Sequence, residues 1–159
     1  AEHSWHVALL AALLYEHARE PVDLQRTIEI LLVHDIPEIE IGDTIIYAAR
    51  TPEMAEAEAE AAARLFGMLP EREAAWCFDR WEEYGLRETP EARFAYAVDR
   101  LMPLLHNIGS GGAGWREHRV PVDRVLAINE PIGDMLPGAW EQVRAAVLEH
   151  AERGGFVFE

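Results

Sequence analysis

Lysine is absent from this chain: all 14 basic residues are arginine, set against 29 acidic residues, for a formal net charge of −15 over 159 residues. A surface so acidic repels phosphate-rich polymers unless a local basic stripe exists, and the sequence holds none, so a nucleic-acid polymer is not an expected partner. Small anions are not excluded, because salt screens charge beyond roughly 8 Å at physiological ionic strength and one ion or one arginine dominates at contact distance. Cysteine is nearly absent too. Cys77 stands alone, so no disulfide can form within the chain, and a reducing cytoplasmic setting is expected. No apolar run is long enough to cross a bilayer, and residues 1–6 lack the layout of a signal peptide, so a soluble protein with no membrane partner is expected. Gly42 is not followed by Lys and Ser or Thr, which rules out a P-loop.

What is present is apolar periodicity. Half of the residues are hydrophobic, enough for one core without disulfides, and we expect a single domain over 1–159. His3 lies almost at the first residue and no initiator Met precedes it, so the chain is expected to be a fragment whose N-terminal helix is truncated. Apolar residues recur at helical spacing, as in Trp5, Leu9, Ala12, Leu13 and Ile28, Leu31, Leu32, with no sustained alternation of the strand kind. The fold class is therefore all-α, with helices expected at 2–19, 22–36, 52–67, 70–85, 90–108, 121–130 and 137–153. Thr51-Pro52 and Thr89-Pro90 each place a capping residue before a proline suited to the first helical position. The run Gly109-Ser110-Gly111-Gly112-Ala113-Gly114 is too rich in glycine for a helix and reads as a loop. The Ala and Glu run from Glu53 to Arg64 reads as a solvated helix face, and Trp76, Trp81 and Trp140 read as packing or subunit-contact residues.

The chemistry concentrates in His34-Asp35, taken with His3 and Asp99. Imidazole nitrogen and carboxylate oxygen are the donors that borderline divalent ions prefer, and three separated segments supplying them suit a catalytic site better than a finger. His34 and Asp35 are adjacent on the expected helix and about 100° apart, so both reach one ion only over the seam between them. A lone His on an apolar helix is usually a hydrogen-bonded core residue. Asp99 weighs against that reading, because it stands among Phe94, Ala95, Ala97, Val98 and Leu101, and a carboxylate is rarely buried without a partner or a metal. Glu38 lies four residues beyond His34 on the same face, within reach of a water at such a centre. His6, at i+3 from His3, competes with it as a ligand or serves as a neighbouring core residue, and His17 near its helix end reads as exposed. His106, seven residues past Asp99, is placed equally well in a pocket or in the core.

Glu2-His3-Ser4, His34-Asp35 with Glu38, Gly42-Asp43, and Thr89 to Phe94 running into Asp99-Arg100-Leu101 resemble the HD-domain phosphohydrolase superfamily. Within it they look like the branch that holds bacterial 5′-deoxynucleotidases and their eukaryotic relatives. The resemblance implies a compact helical bundle of about six to seven helices. It implies one divalent ion (Mn, Co, Fe, Ni, Zn or Mg) on His3, His34, Asp35 and Asp99, with Glu38 as the catalytic carboxylate and Asp43 beside the substrate. Glu91 is a further candidate for the same pocket, and a homodimer is implied as well. The branch usually carries a lysine three residues before the last aspartate, where this chain has Tyr96, so Arg93 or Arg100 is the candidate cation for a phosphate. The implied reaction removes the 5′-phosphate of a (deoxy)nucleoside monophosphate with an activated water. Two rival readings are an HD hydrolase of cyclic or pyrophosphorylated nucleotides, and a catalytically silent nucleotide-binding or dimerisation module.

Overall fold

The second helix shows how local chemistry sets the frame of the site. Asp23 stands just before α2 (Leu24–Val33), in extended backbone, and its side chain accepts from the Arg26 amide. Thr27, Ile30, Leu31 and Val33 form its buried face. The helix was expected to run to residue 36 but stops at Val33, because Pro37 has no N–H to return to the Val33 carbonyl. That carbonyl accepts instead from Ile36 at 3.1 Å, and His34 to Pro37 form a turn before a short α3 (Glu38–Ile41). His34 and Asp35 therefore lie in a turn, not in the body of a helix.

The computed structural model describes residues 2–42 and 51–156. In chain order, α1 (Glu2–Leu14) and a 3-10 turn (Tyr15–His17) precede α2 and α3, and α4 (Pro52–Phe66), α5 (Glu71–Leu86) and α6 (Pro90–Gly109) follow. The rest comprises α7 (Ala113–Glu117), α8 (Val122–Asn129), α9 (Ile132–Met135) and α10 (Pro137–Glu152). All described regular structure is helical, as expected. Thr51 and Thr89 both cap as their sequence implies, accepting from the Met54 and Ala92 amides at 3.3 and 3.2 Å.

α6 is the central element, packed by α1, α2, α5, α9 and α10. Its fully buried Ala92, Ala95 and Ala97 let neighbouring helices approach, while Phe94, Val98 and Leu104 fill the core, at about 1.5–3 kcal/mol for each large side chain removed from water. A smaller cluster of Val33, Ala62, Phe66 and Cys77, with Trp81 and Phe78 against it, ties α4 and α5 to the end of α2. Among the described residues no helix is long and apolar enough to cross a membrane.

Two further expectations are corrected. The glycine-rich run is not one loop: α6 continues through Gly109, and α7 begins at Ala113, leaving a break of three residues. Gly111 and Gly112 take left-handed backbone there, and Gly114 packs against the Asn107 side chain where a Cβ would lie 2.8 Å from its Oδ1. Buried Trp115, stacked on Phe156 at 5.0 Å, holds the short α7 in place. The Ala and Glu run of α4 is not wholly solvated either, since Ala61 and Ala62 are buried and Met54, Ala55 and Glu58 border the cleft described next.

Candidate metal centre

A cleft of about 1230 Å³ opens between the main core and the smaller cluster, with walls from α1 through α6. This exceeds the common size of small-molecule pockets, roughly 300–1,000 Å³. His3 enters it from the first turn of α1, His34 and Asp35 from the turn after α2, and Asp99 from the middle of α6.

These four side chains converge. His3 Nε2 lies 2.8 Å from Asp99 Oδ1 and 3.5 Å from Asp35 Oδ2. His34 Nε2 lies 3.0 Å from Asp35 Oδ1 and 3.5 Å from Asp99 Oδ1. Ligands about 2.1 Å from a shared ion are separated from one another by about 3.0–3.4 Å in tetrahedral or octahedral arrangements. The observed spacings, 2.8–3.5 Å, bracket that range, and donor atoms of His3, His34 and Asp35 fall within 4.8 Å of one another.

The orientation of His34 is the sharpest feature. Its side chain is 1% exposed, and Nδ1 donates to the Leu31 carbonyl at 2.9 Å. That bond leaves Nε2 facing the two carboxylates, buried and without hydrogen-bond geometry to either. Backbone fixation of one ring nitrogen so that the other serves a metal is a recurring arrangement. Tyr84 performs the same service for Asp99: its hydroxyl donates to Oδ2 at 2.7 Å, leaving Oδ1 for the histidines, and its ring packs 4.8 Å from that of His34.

The electrostatics agree. Burial would lower the His34 pKa, but attraction from the adjoining Asp35 and Asp99 carboxylates outweighs it and raises it from 6.5 to about 10. His3 is raised chiefly by its bond to Asp99. Burial opposes ionisation of Asp99, yet His3, His34 and Tyr84 hold its carboxyl well below the usual range. Tyr84 is pushed well above its ordinary value by burial and by the Asp99 charge.

Glu38, the first residue of α3, lines the cleft one turn beyond His34. Arg100 and Tyr96 also line it. Other candidates point elsewhere. Glu91 accepts from the Asp23 amide at 2.8 Å, serving the start of α2, and Arg93 pairs with Glu20 at 2.6 Å. His106 is exposed, one turn past the cleft-lining Pro103, with its ring against that of His6. His6 does not border the cleft, and His17 is exposed. Asp43 lies outside the described residues. Sequence reasoning missed Tyr84, whose place after Trp81 on one helix reads as packing, and missed Arg87 at the end of α5, which borders the cleft as well.

Known proteins resemble this chain in sequence and in fold. A family model described as HD domain matches residues 1–140. The 5′-deoxynucleotidase HDDC2 of Bos taurus is 30% identical over 107 residues, which is 66% of this chain and 50% of that protein. Its Homo sapiens counterpart is 28% identical over the same share of each. The chain thus spans about half the length of the curated relatives it matches. The crystal structure of a predicted metal-dependent phosphohydrolase from Magnetospirillum magnetotacticum superposes with a TM-score of 0.92 at 44% identity, covering 99% of this chain and 79% of that one.

Proposed function

We propose that this chain, which belongs to the HD-domain family, is a metal-dependent phosphohydrolase whose substrates are (deoxy)nucleoside 5′-monophosphates. One observation carries the metal reading: the buried Nε2 of His34, oriented by the Leu31 carbonyl, faces Asp35, Asp99 and His3 with no hydrogen bond of its own. His3, His34, Asp35 and Asp99 would hold one divalent ion, with Mn, Co, Fe, Ni, Zn and Mg all compatible with two imidazoles and two carboxylates. Bound there, such an ion supplies Lewis acidity toward a phosphoryl oxygen and lowers the pKa of a water beside it.

The remaining work falls to the chain itself. Tyr84 and the Leu31 carbonyl lock Asp99 and His34, so the donor set needs little reorganisation. Glu38 stands on the cleft wall next to this set, where its carboxylate accepts a proton from the attacking water and returns it to the departing 5′-oxygen. Arg100, on the cleft face of α6, offers a cation to the phosphoryl group. The nucleotide preference is supported by the likeness to HDDC2 of Bos taurus. Asp43, which directly follows Gly42, is kept as a substrate neighbour on the resemblance alone, and Glu91, Arg93 and His106 have structural surroundings that assign them no contact with substrate.

We further take residues 1–159 as one HD domain acting as a cytoplasmic homodimer. The exposed stripe of Trp5, Leu9 and Leu13, one turn apart along α1 with 45–66% of their surface open, supports the pairing. Buried, unpaired Cys77 accords with a reducing compartment. The test is phosphate release from a panel of ribo- and deoxynucleoside 5′-monophosphates by metal-stripped protein with Mn, Co, Mg or Zn restored. Metal-dependent release abolished by Glu38→Ala is expected, and no release with any metal would overturn the reading.

A further inference from the structure

The cleft holds a second group of side chains that the metal centre does not use. Tyr96, Asp99, Arg100 and Pro103 form the face of α6 that borders the cleft, at the spacing of a helical face. The Arg100 guanidinium lies 4.9 Å from the centroid of the Tyr96 ring, and that of Arg87 lies 4.5 Å from the same centroid. The two cations are therefore no farther apart than the sum of those distances. Arg87 occupies the left-handed position that closes α5, at φ 55°, where glycine is the usual residue, so its side chain is present at some cost to the backbone.

Neither cation has an acidic partner among the described residues, in a chain of net charge −15. Arg26, Arg64, Arg80, Arg93 and Arg153 each pair with a glutamate. By contrast, Nε and Nη1 of Arg100 are buried with no acceptor. A buried charged donor without an acceptor is costly, and the Tyr96 ring, facing two like charges, offsets only part of their desolvation and repulsion. The missing component is an anion with several acceptor oxygens, and a phosphate group matches the forked donors of guanidinium groups.

We propose that Arg87 and Arg100, gathered around Tyr96, form a phosphate-binding site in the cleft wall that engages a phosphate group of the ligand without help from a metal. The reading of that group as part of a substrate rests on the proposed function; the binding itself does not. The phosphate is either the reacting group or a second phosphate on the same molecule. A linkage through rings joins the two sites: Tyr96 lies 6.2 Å from Tyr84, which lies 4.8 Å from His34.

The test titrates inorganic phosphate into the full chain after chelator treatment, by calorimetry at fixed ionic strength. Saturable one-site binding is expected, weakened at least about tenfold by Arg87→Met and by Arg100→Met, and less by the corresponding lysine variants, which keep the charge and lose the fork. Arg87 is exposed, so its variant keeps the test valid should Arg100→Met fail to fold. Absence of saturable binding, or affinities within about twofold of the parent in both methionine variants, would overturn the proposal. With metal restored, a loss of kcat/KM that is equal for a nucleoside 5′-monophosphate and a 3′,5′-bisphosphate identifies the reacting phosphate as the ligand; a loss confined to the bisphosphate identifies the second. Should neither compound be hydrolysed with any metal, the proposed function fails while the phosphate titration still decides this site.

Discussion

The two walls of the cleft differ in how their charges are matched. At one end, two imidazoles and two carboxylates interlock within 2.8–3.5 Å, each charge facing its opposite. At the other, Arg87 and Arg100 share one aromatic ring and have no carboxylate partner among the described residues. The first wall has the donor set of a cation site; the second, on the proposal above, would receive an anion. A phosphate ester with a divalent ion would use both, and the difference would let a strongly acidic chain attract an anionic ligand at one place.

Removing a member of the first wall should have the largest effect. His34→Ala or Asp99→Ala is expected to abolish bound metal, measured by elemental analysis, and to lower phosphate release by roughly a thousandfold or more, since the centre's Lewis acidity goes with it. Glu38→Gln, which leaves the four donors in place, should retain metal while kcat falls by about 10²–10⁴, the usual worth of a positioned proton-transfer group. Retained activity in that variant would remove Glu38 from the proton path.

Tyr84→Phe deletes one hydroxyl and keeps the ring against His34. Metal affinity should fall by about 10–100-fold, as for other groups that orient a ligand, with little change in melting temperature of the metal-loaded protein. The smallest effect concerns protons. Because the folded His34 pKa, about 10, lies above its ordinary 6.5, the stability this contact gives the metal-free protein is fully present below 6.5 and lost as pH rises toward 10. Metal binding requires unprotonated imidazoles, so its affinity should rise over the same interval and its addition at neutral pH should release protons. Melting curves and weak-buffer titrations check both signs, and an affinity independent of pH would break the contrast between the walls.

Much of this was legible in the sequence where a residue's chemistry conflicts with its surroundings. An aspartate set among Phe94, Val98 and Leu101 demands a partner, and His34-Asp35 with His3 supply it. Helix starts at Thr51-Pro52 and Thr89-Pro90 were equally clear, because cap and proline specify the first turn locally. Rotation around α6 was harder to read. Arg93 and His106 are close to Asp99 in sequence, yet Arg93 turns toward Glu20 and His106 toward His6, while Glu91 turns to the start of α2. Tyr84 and Arg87 stayed hidden because their roles depend on the packing of α5 against α2 and α6, which no local pattern encodes. The glycine-rich run misled for a similar reason: Trp115 and Asn107 hold a helical turn there that composition alone argues against.

The central claim is that His3, His34, Asp35 and Asp99 form one divalent-metal centre. Elemental analysis of the full chain after metal loading and removal of excess, set beside His34→Ala treated in the same way, tests it most directly. One tightly held ion per chain, lost in the variant, is the expected result; no retained ion, or equal retention by both proteins, would contradict the account.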